Sequence, residues 1–242
     1  MRGRLARYSL WQFRDFVVER TVAVLLIGLL LGYMSVEPIR RGLGPDWATN
    51  PAFPITRIVA TIVAPVVTLA VLIALNGMIS NDRKMGYYRF LFSKPIKPAL
   101  YYAQVFVVHM VGVLLTMAIL TGLFRVWAGP IPISAILLYT LVIYIAMGGI
   151  GFFISATIPH DWVGLAAVWV GSRLLRSLYS NTGDLRARLV QLLPPVHRVD
   201  GVANNLLTGR MADTSDIVWL VGYGAFFFVL GLWIVSHRSL VD

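Results

Sequence analysis

Long uncharged apolar runs constrain this chain more than any other feature. Residues Ile133–Ile158 contain no Asp, Glu, Lys or Arg. At a rise of about 1.5 Å per residue, a helix of that length crosses the roughly 30 Å hydrocarbon layer of a bilayer. A helix also satisfies its backbone polar groups internally, as lipid requires. The rival reading is a bundle of buried helices in a large soluble protein. Composition opposes it: 58% of the residues are hydrophobic, 13% are charged and the mean hydropathy is +0.75, whereas soluble domains carry about 25% charged residues.

Punctuation between the runs sets the expected organisation, which is all-α and polytopic. Spans are expected at 19–36, 57–79, 99–124, 133–158, 162–179 and 215–235, giving six in a single membrane domain over 1–242. The first is short unless Val17 and Val18 join it. A cleavable signal peptide fits poorly there, because the basic region is long and no clean small-x-small site follows. Pro38, Gly42, Gly44, Pro45, Pro51 and Pro54 mark a loop after it. Pro65 is expected to bend the second span. Pro159, His160 and Asp161 leave a connection so tight that the next helix must return antiparallel. Ahead of the spans, residues 4–18 alternate arginines with Leu10, Trp11, Phe13, Phe16 and Val17. That pattern predicts an amphipathic helix in the headgroup plane.

The net charge of +10 is spread among these runs, so it reads as a topology signal rather than a nucleic-acid surface. Arg2, Arg4, Arg7, Arg14, Arg20, Arg83, Lys84, Arg89, Lys94, Lys97 and Arg238 fall on one side of a six-span arrangement. Arg40, Arg41, Arg125, Arg186, Arg188, Arg198 and Arg210 fall on the other, most of them in the long 180–214 loop, where charge counts for less. Both termini are therefore expected in the cytoplasm. The chain has no cysteine, which removes thiolate chemistry and Cys-metal sites. No H-E-x-x-H, P-loop or dinucleotide fingerprint is present, so no catalytic residue, metal site or cofactor is expected in this chain.

The segment Ser80–Leu100 is richer than a connecting loop requires. It places Tyr87, Tyr88, Phe90 and Phe92 among Arg83, Lys84, Arg89, Lys94 and Lys97. Met85–Phe92 is expected to form a short helix, with Pro95 and Pro98 stiffening its exit. Two readings stand: a surface that takes force from a soluble partner into the second and third spans, or an interfacial turn held by aromatic anchors.

Here the chain resembles the ABC-2 type transporter permeases, the membrane subunits of ATP-binding cassette exporters. The resemblance rests on an amphipathic helix before the first span and on Asp82, Arg83, Lys84, Gly86, Phe90, Leu91 and Pro95 after the second, followed by Tyr101. Members often carry glutamate early in that loop, where this chain has Asn81 and Asp82. Leu193–Arg210, with Pro194, His197, Gly209 and then Asp213, is similar to the segment before the last span in the permeases related to gliding motility and nitrous-oxide accessory transport. The resemblance covers nearly the whole chain through loose motifs.

It implies a type V exporter-like fold with the cytoplasmic segment 80–98 coupled to the ATPase through Asp82, Arg83, Lys84, Gly86, Tyr87, Arg89 and Phe90. Residues 180–214 would form short external helices. ATP and Mg would be bound by a separate cytosolic ATP-binding cassette subunit, and a second permease subunit, identical or homologous, would complete the path through the cell inner membrane. Asn76, His109, Arg173 and Arg176 are expected candidates for that path. His109 lies deep in the third span, where an ionisable group is a functional suspect or simply bonds to a neighbouring helix. Snorkelling is the plainer account of the two arginines. Gly148, Gly149, Gly151, Gly222 and Gly224 allow close approach, within the chain or between subunits. A non-transporting membrane scaffold or assembly factor and a membrane-embedded enzyme are the rival functions.

Overall fold

The computed structural model describes residues 2–44, 55–86, 97–129, 131–158, 161–179, 190, 193–208 and 210–237. Among them all regular structure is helical. Helix α1 (Arg2–Phe16) passes through a π-helical turn (Val17–Thr21) into α2 (Val22–Leu43) with no break. Then come α3 (Ile55–Leu75), the short α4 (Ser80–Lys84), α5 (Pro98–Ala128), α6 (Ile133–Thr157), α7 (Asp161–Tyr179), α8 (Val196–Leu207) and α9 (Thr214–His237). The amphipathic helix expected at 4–18 is thus continuous with the first apolar run. Its buried stripe is Gln12 and Phe16, while Leu10 and Trp11 are exposed. Phe16 turns inward to fill the space left by Gly112.

Contacts group the chain into two compact units. The first comprises Met1–Ala74, Val105–Ile143 and Ala203–Ala212; the second comprises Leu75–Gln104, Tyr144–Val202 and Asp213–Asp242. In the first unit α2 meets α5 through small residues. A Cβ on Gly28 would stand 2.6 Å from Leu120, and one on Gly32 would enter the Phe124 ring. In the second unit α6 and α9 pack backbone on backbone. A Cβ on Gly149 would overlap the carbonyl of Gly224, and one on Gly224 would overlap that of Ile145. Aromatic pairs Phe152–Phe228 and Phe153–Phe227, with centroids 4.9 and 5.3 Å apart, continue the same seam. Of the two uses open to the glycines, Gly149, Gly151 and Gly224 serve packing within the chain, whereas Gly222 faces open space.

Polarity is distributed as lipid demands. Thr116, Thr121 and Thr140 are buried and return their hydroxyls to the carbonyls of Gly112, Met117 and Ile136. Val107, Val111, Leu115, Ile119 and Leu123 recur every fourth residue as an exposed apolar stripe on α5. Exposed apolar surface on that scale marks contact with a membrane. Among the described residues, five helical stretches are long and apolar enough to cross one: Arg7–Gly42, Thr61–Asp82, Pro98–Trp127, Ile133–Thr157 and Thr214–His237. Helix α7, over the expected span 162–179, is not among them. Arg173 and Arg176 fall in its second half with Gly171, Ser172 and Ser177, which shortens its apolar length. The chain is a polytopic, largely α-helical membrane protein.

Candidate functional site

Polar chemistry concentrates at one place in the first unit. Helix α3 ends at Leu75, so the carbonyls of its last turn have no partner inside the helix. The carbonyl of Ala74 accepts instead from two side chains. The Arg20 guanidinium donates to it through Nη1, and His109 Nδ1 lies 2.9 Å from it. That geometry puts the proton on Nδ1. Nη1 and Nδ1, 3.3 Å apart, are then two donors converging on one acceptor. A cation at a helix carboxyl end also opposes the negative end of the helix dipole.

The π-turn delivers Arg20 to this position. Its wider spiral keeps Arg20 close to the face that carries Gln12 and Phe16, and such turns recur at functional sites. The Phe16 ring packs on His109 with centroids 5.2 Å apart, and Thr21 meets Thr116 through their hydroxyls at 3.0 Å. Gln12 is buried, and neither its amide oxygen nor its nitrogen has a partner among the described residues. In the sequence Arg20 reads only as a topology charge. An arginine at the mouth of a span, with a histidine deep in another, was the available signal.

In the second unit the segment after α3 is bracketed by glycines in the left-handed region, Gly77 (φ 75°) and Gly86 (φ 68°). They turn the chain into α4 and out of it. The first amides of α4 lack helical acceptors, and a serine of another helix supplies one. Ile79 and Ser80 donate to Ser155 Oγ at 3.2 and 3.3 Å. Asp82, in the first turn of α4, accepts from the Tyr102 hydroxyl at 3.2 Å. The short helix is thereby tied to both α5 and α6. Arg83 and Lys84 lie on α4, and Gly86 ends it. Tyr87, Arg89 and Phe90 lie outside the described residues. Asn76, a path candidate in the sequence, sits exposed in the turn after α3. Neither Ser155 nor Tyr102 was singled out in the sequence; a hydroxyl inside an apolar run was their only mark.

At the other end of the second unit, α8 is held between α7 and α9. Arg173 pairs with Asp200 at 2.6 Å, Arg198 pairs with Asp216 at 2.6 Å, and Arg176 Nη2 donates to the Leu193 carbonyl at 3.0 Å. Arg198 also stands over the Trp219 ring, 5.7 Å from its centroid. Pro194 is buried just before α8, and His197 falls in its first turn. Gly209 lies outside the described residues. The expected path residues fall in both compact units. His109 belongs to the cap on α3, and Arg173 and Arg176 belong to the α7–α8–α9 cluster. No family model matches this chain, and no curated protein matches it.

Proposed function

We propose that this chain is the membrane subunit of an ATP-binding cassette transporter of the ABC-2 permease type. It moves a substrate outward through the cell inner membrane, with ATP and Mg held by a separate cytosolic subunit. A second permease subunit, identical or homologous, completes the path. In this reading α7 is the fifth of six spans, both termini are cytoplasmic, and α1 is the interfacial element that leads into the first span. The observation that carries the reading is the double tie of α4, to Tyr102 through Asp82 and to Ser155 through the amides of Ile79 and Ser80.

A connecting turn has no need of such ties. A surface that receives force has, because a push on an untethered loop is absorbed by the loop itself. With α4 fixed to α5 and α6 and joined to α3 by a single turn, displacement of the segment moves helices. Arg83 and Lys84 supply positive charge on this element for a partner below the membrane, and Tyr87, Arg89 and Phe90 continue the same stretch of sequence.

The test is purification of the tagged full chain from its own membrane, followed by identification of co-purifying subunits by their nucleotide-binding motifs. An ATP-binding cassette subunit in constant ratio is expected. The double substitution Arg83→Glu, Lys84→Glu should lower substrate-stimulated ATP hydrolysis several-fold and leave insertion intact. A chain that purifies alone, or ATP hydrolysis indifferent to the double substitution, would turn the assignment toward a scaffold.

A further inference from the structure

The helical stretch Arg7–Gly42 is longer than a crossing requires. Its 36 residues reach about 54 Å at about 1.5 Å per residue, against roughly 30 Å of hydrocarbon. The exposed side chains show where the surplus lies. Val18, Val22, Leu26, Leu30 and Met34 recur every fourth residue as an exposed apolar stripe. Glu37, paired with Arg40 and Arg41, closes the stripe at one end. Arg14 closes it at the other. From Arg14 to Glu37 the helix rises about 35 Å, the hydrocarbon layer and the edge of each headgroup layer. Arg14 therefore stands at the level of the lipid phosphates, and Trp11 and Arg7 follow it outward.

Beyond that level α1 keeps the same side free. Arg7, Trp11 and Arg14 share the face opposite Gln12 and Phe16, the two residues that turn inward. Leu10 and Trp11 are 72% and 58% exposed. Both arginines are exposed, and neither forms an ion pair among the described residues. Asp15 and Glu19, the carboxylates of this stretch, are displaced from Arg14 by about 100° or more round the helix. Nothing on the face itself offsets its two positive charges.

Tryptophan collects where hydrocarbon meets water, and the guanidinium fork matches two phosphate oxygens. Seven residues separate the arginines, about 10 Å along the axis, so one monoester or diester phosphate cannot serve both. We propose that this face of α1 is a docking surface for anionic phospholipid, with Arg7 and Arg14 each holding the phosphate of its own lipid and Trp11 seated between them. Helix α1 then threads the headgroup layer as a continuation of the first span instead of lying flat within it. The proposal deepens the interfacial reading of α1 and rests on that helix crossing the bilayer, with no requirement for an ATPase partner.

The chain has no cysteine, so a Leu10→Cys variant of the full chain accepts a single fluorophore beside Trp11. The labelled protein is placed in nanodiscs of phosphatidylcholine containing nitroxide-labelled phosphatidylglycerol or nitroxide-labelled phosphatidylcholine at the same low mole fraction. Phosphatidylglycerol should quench about fivefold more strongly, the enrichment expected of a basic residue at an anionic surface. Adding Arg7→Gln and Arg14→Gln should bring the two lipids together. Adding Arg40→Gln and Arg41→Gln instead, an equal loss of charge at the other end of the stretch, should leave the difference standing. Equal quenching by both lipids in the chain with all its arginines overturns the proposal. So does quenching by aqueous iodide but by neither lipid, which puts the face in water. Protection from lipid and iodide alike also overturns it and assigns the face to a second copy of the chain. Should the glutamine pair fail to accumulate, the comparison of the two lipids on the chain with its arginines intact still decides.

Discussion

Arg20 and His109 meet on a single acceptor, the carbonyl of Ala74, so residues from two helices close the end of a third. Their contributions are therefore expected to be coupled. Removing either leaves the carbonyl served by the other; removing both leaves it bare. In a double-mutant cycle of Arg20→Gln and His109→Ala, an interaction of about 0.5–3 kcal/mol is expected, as found for residues sharing one network. Reversible unfolding in mixed detergent supplies the four stabilities. Strict additivity would show that the shared carbonyl is not an energetic unit.

Tyr102→Phe removes the hydroxyl that donates to Asp82 and leaves a half-buried carboxylate without that partner. A cost of about 1–3 kcal/mol is expected, the usual penalty for depriving a partly buried charged acceptor of a donor. Asp82→Asn keeps an acceptor for Tyr102 and should cost less. If α4 also transmits force, Tyr102→Phe should reduce substrate-stimulated ATP hydrolysis while the complex with the ATPase persists. Parallel unfolding and hydrolysis measurements separate the two effects.

The glycines of α6 and α9 should divide sharply. Gly149→Leu places a branched side chain where the Gly224 backbone lies, with no flexible group to yield, so the helices must part. The variant should fail to accumulate as a monodisperse species in detergent. Gly222→Ala, two residues from Gly224 and facing open space, should elute like wild type. Similar behaviour of the two on size-exclusion chromatography would contradict the backbone contact.

These cases show what was legible in the sequence. The apolar runs declare membrane helices because composition alone decides which segments lipid accepts. Gly149 and Gly224 read as sites of close approach, yet the partner of each depends on how distant helices meet. Arg20 reads as one of the topology charges because its acceptor is the Ala74 backbone carbonyl, which carries no signature of its own. Ser155 was hidden for the opposite reason. A lone hydroxyl in a span usually bonds to its own helix, and only the fold shows that this one receives two amides from another. The cluster around Arg176 depends on Asp200 and Asp216, whose meeting with arginines follows from the placement of α8.

The absence of cysteine from the chain makes the number of crossings directly measurable. Met85, just past α4, and Met211, between α8 and α9, are both exposed, the latter almost fully. Single Met85→Cys and Met211→Cys variants give one thiol each on a thiol-free background. If α7 crosses the bilayer despite Arg173 and Arg176, the two positions lie on opposite faces. Met211→Cys then reacts with a membrane-impermeant maleimide in intact cells, and Met85→Cys reacts only after permeabilisation. If only the five apolar stretches cross, both thiols lie on the same face and are labelled together. Opposite labelling is expected, because the arginines of α7 stand near its end and their stems can reach outward along the helix.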